Sequence, residues 1–250
     1  MKETLITIIT IVYNCESGIE KTIKSVLEQD YKSIEYIIID GASTDSTMTV
    51  VNKYRDKINK VISEKDRGIS DAFNKGVKEA TGDIILFLNA GDVFCNNSIL
   101  QCVAKDWQNN RPDILFYKVV VGEKRYIPPK EYGEDAKRIW NECQIPHQGA
   151  FIRKEVFEKV GLFNIFFKIR MDYDFFARCI KAECSYEYIP KTIVRYEIGG
   201  TSMMTDNAIT YYREGVAIKL LYGFKIKKSY WLYMFMPKWI RDIGKRVMHR

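Results

Sequence analysis

Histidine and cysteine are scarce in this chain, and long apolar runs and glycine-rich phosphate loops are missing. Two histidines and six cysteines stand in 250 residues. The cysteines, at 15, 95, 102, 143, 179 and 184, form no CxxC pair and no zinc-ligand spacing with the histidines. That excludes a zinc ribbon or finger. They read as reduced thiols in a cytosolic protein, with Cys15 and Cys143 either near a site or filler. No apolar run approaches the roughly 20 residues of a membrane-spanning helix. The opening does not read as a signal peptide either. Lys2 and Glu3 precede a short apolar stretch, and Asn14, Cys15 and Glu16 follow it. A cytoplasmic location is expected. No Walker-type loop is present, and no GxGxxG follows the first apolar run. Phosphates, if bound, are therefore not cradled by a glycine-rich turn.

What is there is the composition of a globular enzyme, 46% hydrophobic and 28% charged, long enough for one large domain or two small ones. The net charge of +7 is uneven. Residues 207–250 carry ten Lys and Arg against Glu214 and Asp242, a net +8. The rest holds 29 cations and 30 acids, a net −1. A nucleic-acid enzyme with a basic cleft is disfavoured, and no nucleic-acid partner is expected.

The first half alternates strand and helix. Residues 5–12 are a continuous β-branched run, as in a strand buried on both faces. Ser17 and Glu20 have capping-box spacing, and a helix is expected to about 29. Strands follow at 34–40, 60–65, 83–88 and 113–121, with helices after Asp45 or Ser46, over the stretch 66–80, and from Ser98. The segment 122–146 reads as irregular. A short helix is expected over 151–160, ended by Gly161, then a helix over 171–182 and a strand over 186–190. This pattern predicts an α/β fold with a mostly parallel central sheet and flanking helices. The body spans 1–203 and a helical basic tail spans 204–250.

In open α/β sheets ligands bind beyond the carboxyl ends of the strands. Here those ends give Thr10, Tyr13 and Asn14, then Asp40, then Asp66, Arg67 and Asp71, then Asn89 and Asp92. Converging carboxylates without a phosphate loop point to a hard cation, Mn²⁺ or Mg²⁺, bridging a diphosphate. Asp92 is the expected metal ligand. Taken singly, Asp40 and Asp92 also suit turns.

The segments "TIITIVYNCESGIEKTIKSVLEQDY", "YIIIDGASTDST", "EKDRGISDAFNKGVKEATGDIILFLNAGD" and "HQGAFIRKEVFEKVGLFN" occur in that order. Together they resemble family 2 glycosyltransferases, the inverting enzymes of bacterial polysaccharide assembly, over about residues 4–203. The resemblance implies a Rossmann-like GT-A fold, a nucleotide-sugar donor, UDP- or GDP-linked, and a divalent cation. It implies a nucleotide-sugar half, 1–121, and an acceptor-binding and catalytic-base half, 122–203. Thr10, Val12, Tyr13 and Asn14 match the segment that packs on base and ribose. Asp40 matches the acid that reads the base. Asp66, Arg67 and Asp71 match the loop and helix start that close on the nucleotide. "NAGD" matches the metal motif with a departure, because Asn89 and Gly91 replace acids found in many members; Asn89 and Ala90 remain donor contacts.

"MDYDFFAR" resembles the family's acidic motif, with Asp172 as general base. Asp174 is expected to serve the helix dipole or a salt bridge. His147 and Gln148 match a segment that touches acceptor or donor sugar, with an ordinary structural histidine as the alternative. Arg195, Gly200 and Ser202 resemble the closing loop. The tail interleaves its cations with Tyr and Trp, which suits peripheral contact with the inner face of an anionic membrane and a lipid-linked acceptor. Packing on the body or on a second copy, as a homodimer, is the alternative. Two other functions are carried. A sugar nucleotidyltransferase would show a glycine-rich basic loop after the first strand, which is missing. A non-catalytic nucleotide-binding scaffold would fit the thinned metal motif.

Overall fold

The computed structural model describes residues 3–121, 124–126, 145–196, 207–223 and 226. Most of the segment expected to be irregular, 122–146, lies outside them, as do Cys143, Gly200, Ser202 and the tail beyond 226.

The chain opens as strand β1 (Ile6–Val12), helix α1 (Glu16–Leu27), β2 (Ile34–Asp40), α2 (Thr47–Asn52) and β3 (Lys60–Ser63). It continues through α3 (Ile69–Glu79), β4 (Ile84–Phe87), the two-residue β5 (Val93–Phe94) and α4 (Ile99–Asn110). Then come β6 (Ile114–Val121), β7 (Lys124–Tyr126), β8 (Ala150–Arg153) and helix α5 (Lys154–Val160). Helix α6 (Met171–Lys181), strand β9 (Tyr186–Tyr196) and helix α7 (Ala208–Leu221) complete it. The strands form one sheet in the order β3-β2-β1-β4-β8-β6-β9-β5, with β7 paired to β6.

The β-branched runs explain the first half. Ile6, Ile8 and Val12 of β1 face one core, and Ile9 faces the other. With side chains alternating along the strand, both faces are covered. Helix α1 lays Ile19, Ile23 and Val26 on one face. Helix α3 lays Ala72, Phe73 and Val77 on the other, at helical spacing. Pairs β1–β2, β1–β4 and β2–β3 are all parallel, as expected.

The second half departs from the expected parallel order. Strand β8 runs antiparallel to both β4 and β6, β5 antiparallel to β9, and β7 antiparallel to β6. Among the described residues only β6–β9 is parallel there. Residues 151–153, expected to begin a helix, lie instead in strand β8, because Ala150, Phe151 and Ile152 are all buried between neighbours on two sides. Strand β9 also runs past Pro190, where the expected strand stopped. Its register jumps from Tyr117↔Ile189 to Lys118↔Thr192, a bulge that leaves the proline out of the ladder.

Helix α7 falls in the segment assigned to the tail, and it is helical as expected. It packs on the body: Ile218 is buried in the same core as Phe175 and Phe176. No described helix is long and apolar enough to cross a membrane.

Candidate active site

The site is built upward from the ends of β1, β2 and β4. Two expected ligand contacts prove to be its floor. Thr10 is fully buried, donates to the Leu88 carbonyl at 2.7 Å and lies 3.2 Å from the Tyr36 hydroxyl. Val12 is buried as well, and its carbonyl accepts from Gly41 N–H at 2.9 Å. Both residues are buried, and their bonds hold the strand ends in register. Asp40 needs the same correction. Its carboxylate is fully buried and accepts from Ser43 N–H at 3.1 Å and from the hydroxyls of Ser43 and Ser63. It builds the loop after β2 rather than presenting a free acid.

Tyr13 and Asn14 do reach the surface. Tyr13 is 63% exposed. Asn14 sits at φ 46°, in the left-handed region that asparagine tolerates. There its Oδ1 accepts from Thr44 N–H, while its own N–H donates to Ser43 Oγ, both at 2.8 Å. Across the loop, Asp66 accepts from Gly68 N–H at 2.9 Å. A Cβ at Gly41 would lie 2.7 Å from Asp66 Oδ2, so a side chain there would displace this carboxylate from the end of β2. Arg67 Nη2 pairs with Asp71 in the first turn of α3 at 3.0 Å. The guanidinium holds the Asp71 carboxyl below the usual carboxylate range, against a smaller opposing effect of burial.

The turn after β4 is held from beneath. Thr22 of α1 accepts from Gly91 N–H at 2.9 Å and donates to the Asp92 carbonyl at 2.8 Å. Gly91 has φ 99°, a conformation that favours glycine. Ala90 N–H extends the β1 ladder to Ile11 at 3.2 Å. Asp92 is 6% exposed. Its charge adds to burial in raising the Tyr196 hydroxyl, so the two lie close. Arg195 is exposed and pairs in register with Val93, the residue after Asp92. Asn89 Oδ1 is buried and accepts no hydrogen bond.

The second half of the chain meets this turn through His147. The antiparallel register of β8 on β4, Ile85↔Ile152, carries the 3-10 turn His147–Gly149 alongside the end of β4. His147 Nε2 is 3.1 Å from Asn89 Nδ2, and its Nδ1 is 3.7 Å from Asp172 Oδ2. Gln148 is half-buried in the same turn. Asp172 opens α6, and its Oδ1 accepts from Tyr173 N–H at 2.7 Å. Asp174 points away, as expected. It is buried against Arg178, with Nη2 at 2.9 Å, and the Tyr222 hydroxyl at 2.7 Å.

One residue escaped the sequence reading. Glu214 of α7, itself buried, accepts from the N–H groups of Lys168, Ile169 and Arg170 at 2.7, 2.9 and 2.8 Å. It fixes the three residues that lead into α6. An acid set in the apolar pattern of α7 was the only signal for it.

Among the described residues no group of three or more His, Cys, Asp and Glu side chains could hold a metal on its own. The donor set at the turn is one carboxylate, Asp92, beside the amide oxygen of Asn89. Mg²⁺ and Mn²⁺ are commonly held by one or two carboxylates with phosphate oxygens completing the shell. The residues therefore fit a cation that arrives with a diphosphate.

A sequence model described as Glycosyl transferase family 2 matches residues 7–168. The "PGL/p-HBAD biosynthesis glycosyltransferase" of Mycobacterium bovis is 27% identical over 208 residues, covering 81% of this chain and 80% of its own. The "Uncharacterized glycosyltransferase EpsJ" of Bacillus subtilis is 30% identical over 63% of this chain and 50% of its own. Among solved structures, S. aureus TarS 1-349 in complex with UDP superposes with a TM-score of 0.67 at 20% identity, covering 90% of this chain and 67% of its own. The mannosyltransferase PcManGT from Pyrobaculum calidifontis, in complex with GDP-Man and Mn²⁺, gives 0.67 at 18% identity, covering 86% and 65%. These likenesses establish the GT-A type of fold.

Proposed function

The chain belongs to glycosyl transferase family 2, and from that premise we propose that it transfers a sugar, with inversion, from a nucleotide-sugar donor to a saccharide or lipid-linked acceptor in cell-surface polysaccharide assembly. The observation that supports this reading is the approach of two separate chain regions. Asn89 and Asp92 follow β4, Asp172 opens α6, and His147 stands between Asn89 at 3.1 Å and Asp172 at 3.7 Å. A donor diphosphate at the turn would set its anomeric carbon within reach of a base on the acceptor side.

Each group then has a part. Tyr13 and Asn14 lie against base and ribose, on the floor of Thr10, Val12 and Asp40. Asp66, Arg67 and Asp71 border the nucleotide, and Asn89 and Ala90 touch the donor sugar or ribose. Mn²⁺ or Mg²⁺, held by Asp92 and the diphosphate oxygens, would neutralise charge on the leaving group. The acceptor hydroxyl attacks the anomeric carbon as the bond to the diphosphate breaks, and its proton passes to Asp172. Gln148 borders the acceptor, and Arg195 is placed for the departing diphosphate. The basic aromatic tail would bring the enzyme to the inner membrane face, where a lipid-linked acceptor lies.

Complexes of the neighbouring folds with UDP, UDP-GlcNAc and GDP-Man make UDP and GDP the first nucleotides to try. Calorimetry with each, with and without Mn²⁺, is expected to show metal-dependent binding of one. In Asp92→Ala that affinity falls by about tenfold to a hundredfold. Binding indifferent to both metal and substitution would reduce Asp92 to a turn residue and overturn the metal part of the reading.

A further inference from the structure

One side chain bridges the donor turn and the base, and its protonation pattern follows from its neighbours. His147 opens the turn His147–Gly149 after Pro146. Its ring stands edge-on to Phe73, with centroids 5.4 Å apart and planes at 72°. Gly149 makes the seat, since a Cβ there would lie 2.6 Å from the Tyr117 carbonyl oxygen. The imidazole is thus fixed in both position and tilt.

The Asn89 Nδ2 group can only donate, so His147 Nε2 at 3.1 Å accepts. A neutral imidazole then carries its hydrogen on Nδ1, the nitrogen turned to Asp172 Oδ2 at 3.7 Å. The other oxygen, Oδ1, is held by the Tyr173 N–H. The same Asn89 amide keeps a buried Oδ1 that accepts no hydrogen bond, an acceptor suited to a hydroxyl of the donor.

We propose that His147 is a positioning residue for Asp172, locked as the Nδ1–H tautomer by the Asn89 amide, so that one ring, hydrogen-bonded to the donor turn and facing the base at 3.7 Å, sets the two together. The inference rests on Asp172 being the base. It gives the amide at 89 a purpose that an acid there could not serve. A carboxylate at 89 only accepts, so Nε2 would have to carry a hydrogen, and the amide's lock on the ring would be lost.

The tautomer can be read without turnover. The chain has two histidines, so in a His249→Gln background the ¹⁵N ring shifts belong to His147 alone. The expected result is a bare Nε2 with the hydrogen on Nδ1 in the resting protein, and a hydrogen on Nε2 in Asn89→Asp. For turnover the probe is release of nucleoside diphosphate from UDP-GlcNAc or GDP-mannose, whichever nucleotide binds. His147→Ala and His147→Gln are expected to lower kcat about 10- to 100-fold, the range for a misplaced base, with donor KM and nucleotide affinity within about twofold. His147→Asn, whose Nδ2 takes the place of Nδ1, is expected to return kcat to within about fivefold of wild type.

An Nε2–H resting tautomer would overturn the proposal. So would full activity in His147→Ala, an Asn variant no better than Ala, or a loss confined to donor KM. Asp172→Asn separates this from the reading beneath it. If it is inactive while His147→Ala is fully active, the positioning role alone falls. If it retains full activity, the base falls, and the positioning role falls with it.

Discussion

The two sides of the site are built by different means. On the donor side the contacts run within and between the loops at the ends of neighbouring parallel strands. Asn14 meets Ser43 and Thr44, Asp40 meets Ser43 and Ser63, and Arg67 meets Asp71 four residues on. Strand order makes these loops neighbours, and Thr22 of α1 braces the turn after β4. On the acceptor side the start of α6 is held from a distance. Glu214 reaches it from α7, and Arg178 ties the end of α5 to the body of α6 through the carbonyls of Val160, Gly161 and Leu162. The donor side can therefore be changed loop by loop, whereas the acceptor side stands or falls with its packing. Substitutions of like chemistry on the two sides should separate binding from stability.

The largest contrast is between two arginines, each paired to an aspartate four residues away. Arg67 is 70% exposed and its pair is open to water. Arg178 is paired to Asp174, which is 1% exposed. Removing one partner of a buried pair strands a charge and costs about 3–5 kcal/mol. Arg178→Ala is expected to lower the thermal midpoint by about 10 °C, at 2–4 °C per kcal/mol for a chain of this size. Tyr222 remains only a neutral donor to Asp174 and cannot replace the lost cation: burial, and then that bond, push its hydroxyl up to about 12. Arg67→Ala is expected to leave the midpoint unchanged and to weaken nucleotide binding. Equal midpoints for the two variants, by scanning calorimetry, would break the comparison.

A smaller effect is expected at Glu214. Three backbone N–H groups converge on its two oxygens. Glu214→Gln keeps one acceptor and turns an NH₂ toward donors, for about 2 kcal/mol of stability. Residues 168–170 run directly into Met171 and Asp172, so turnover is expected to fall with it while nucleotide affinity stays. A variant that loses stability but keeps wild-type kcat would show that α7 is a brace for the fold and not for the base.

The same asymmetry decided what could be read from sequence. The apolar runs of β1, β2 and β4 declare themselves by composition, and the residues just after them are site residues by topology. Asp92 and Asn14 were proposed that way, and the structure puts them just beyond the ends of β4 and β1. The rule over-reached at Thr10, Val12 and Asp40, because a polar group or strand end that seals the floor has the same sequence position as one that faces a ligand. Asp172 and the salt-bridge role of Asp174 were legible from the start of a helix. Strand β8 was not, since Phe151–Arg153 runs into a helical pattern without a break. Pro190 hid the rest of β9, because the bulge that accommodates it depends on β6. Glu214 had no spacing to betray it: its partners are backbone groups, and those carry no residue type.

The smallest expected effect is a pH dependence on the donor side. Glu35, near the start of β2, accepts from Thr7 Oγ at 2.6 Å, Thr81 N–H at 2.7 Å and Thr81 Oγ at 2.7 Å. Burial works to raise its carboxyl, but the bonds from Thr7 and Thr81 outweigh it and leave the group below the usual glutamate range. A carboxyl lowered on folding stabilises the native state above its unfolded pKa, and that gain is lost as the pH falls through the folded value. Wild type should therefore exceed Glu35→Gln in stability by about 1 kcal/mol near neutral pH. The margin should shrink below about pH 4, where the unfolded carboxyl begins to bind its proton first. Thermal midpoints of both proteins across that range test it. These bonds join β2 to the turn before β4 and touch no loop of the site, so nucleotide affinity should not move. A shift in affinity with Glu35→Gln would mean that the donor side, too, transmits its packing to its ligand contacts.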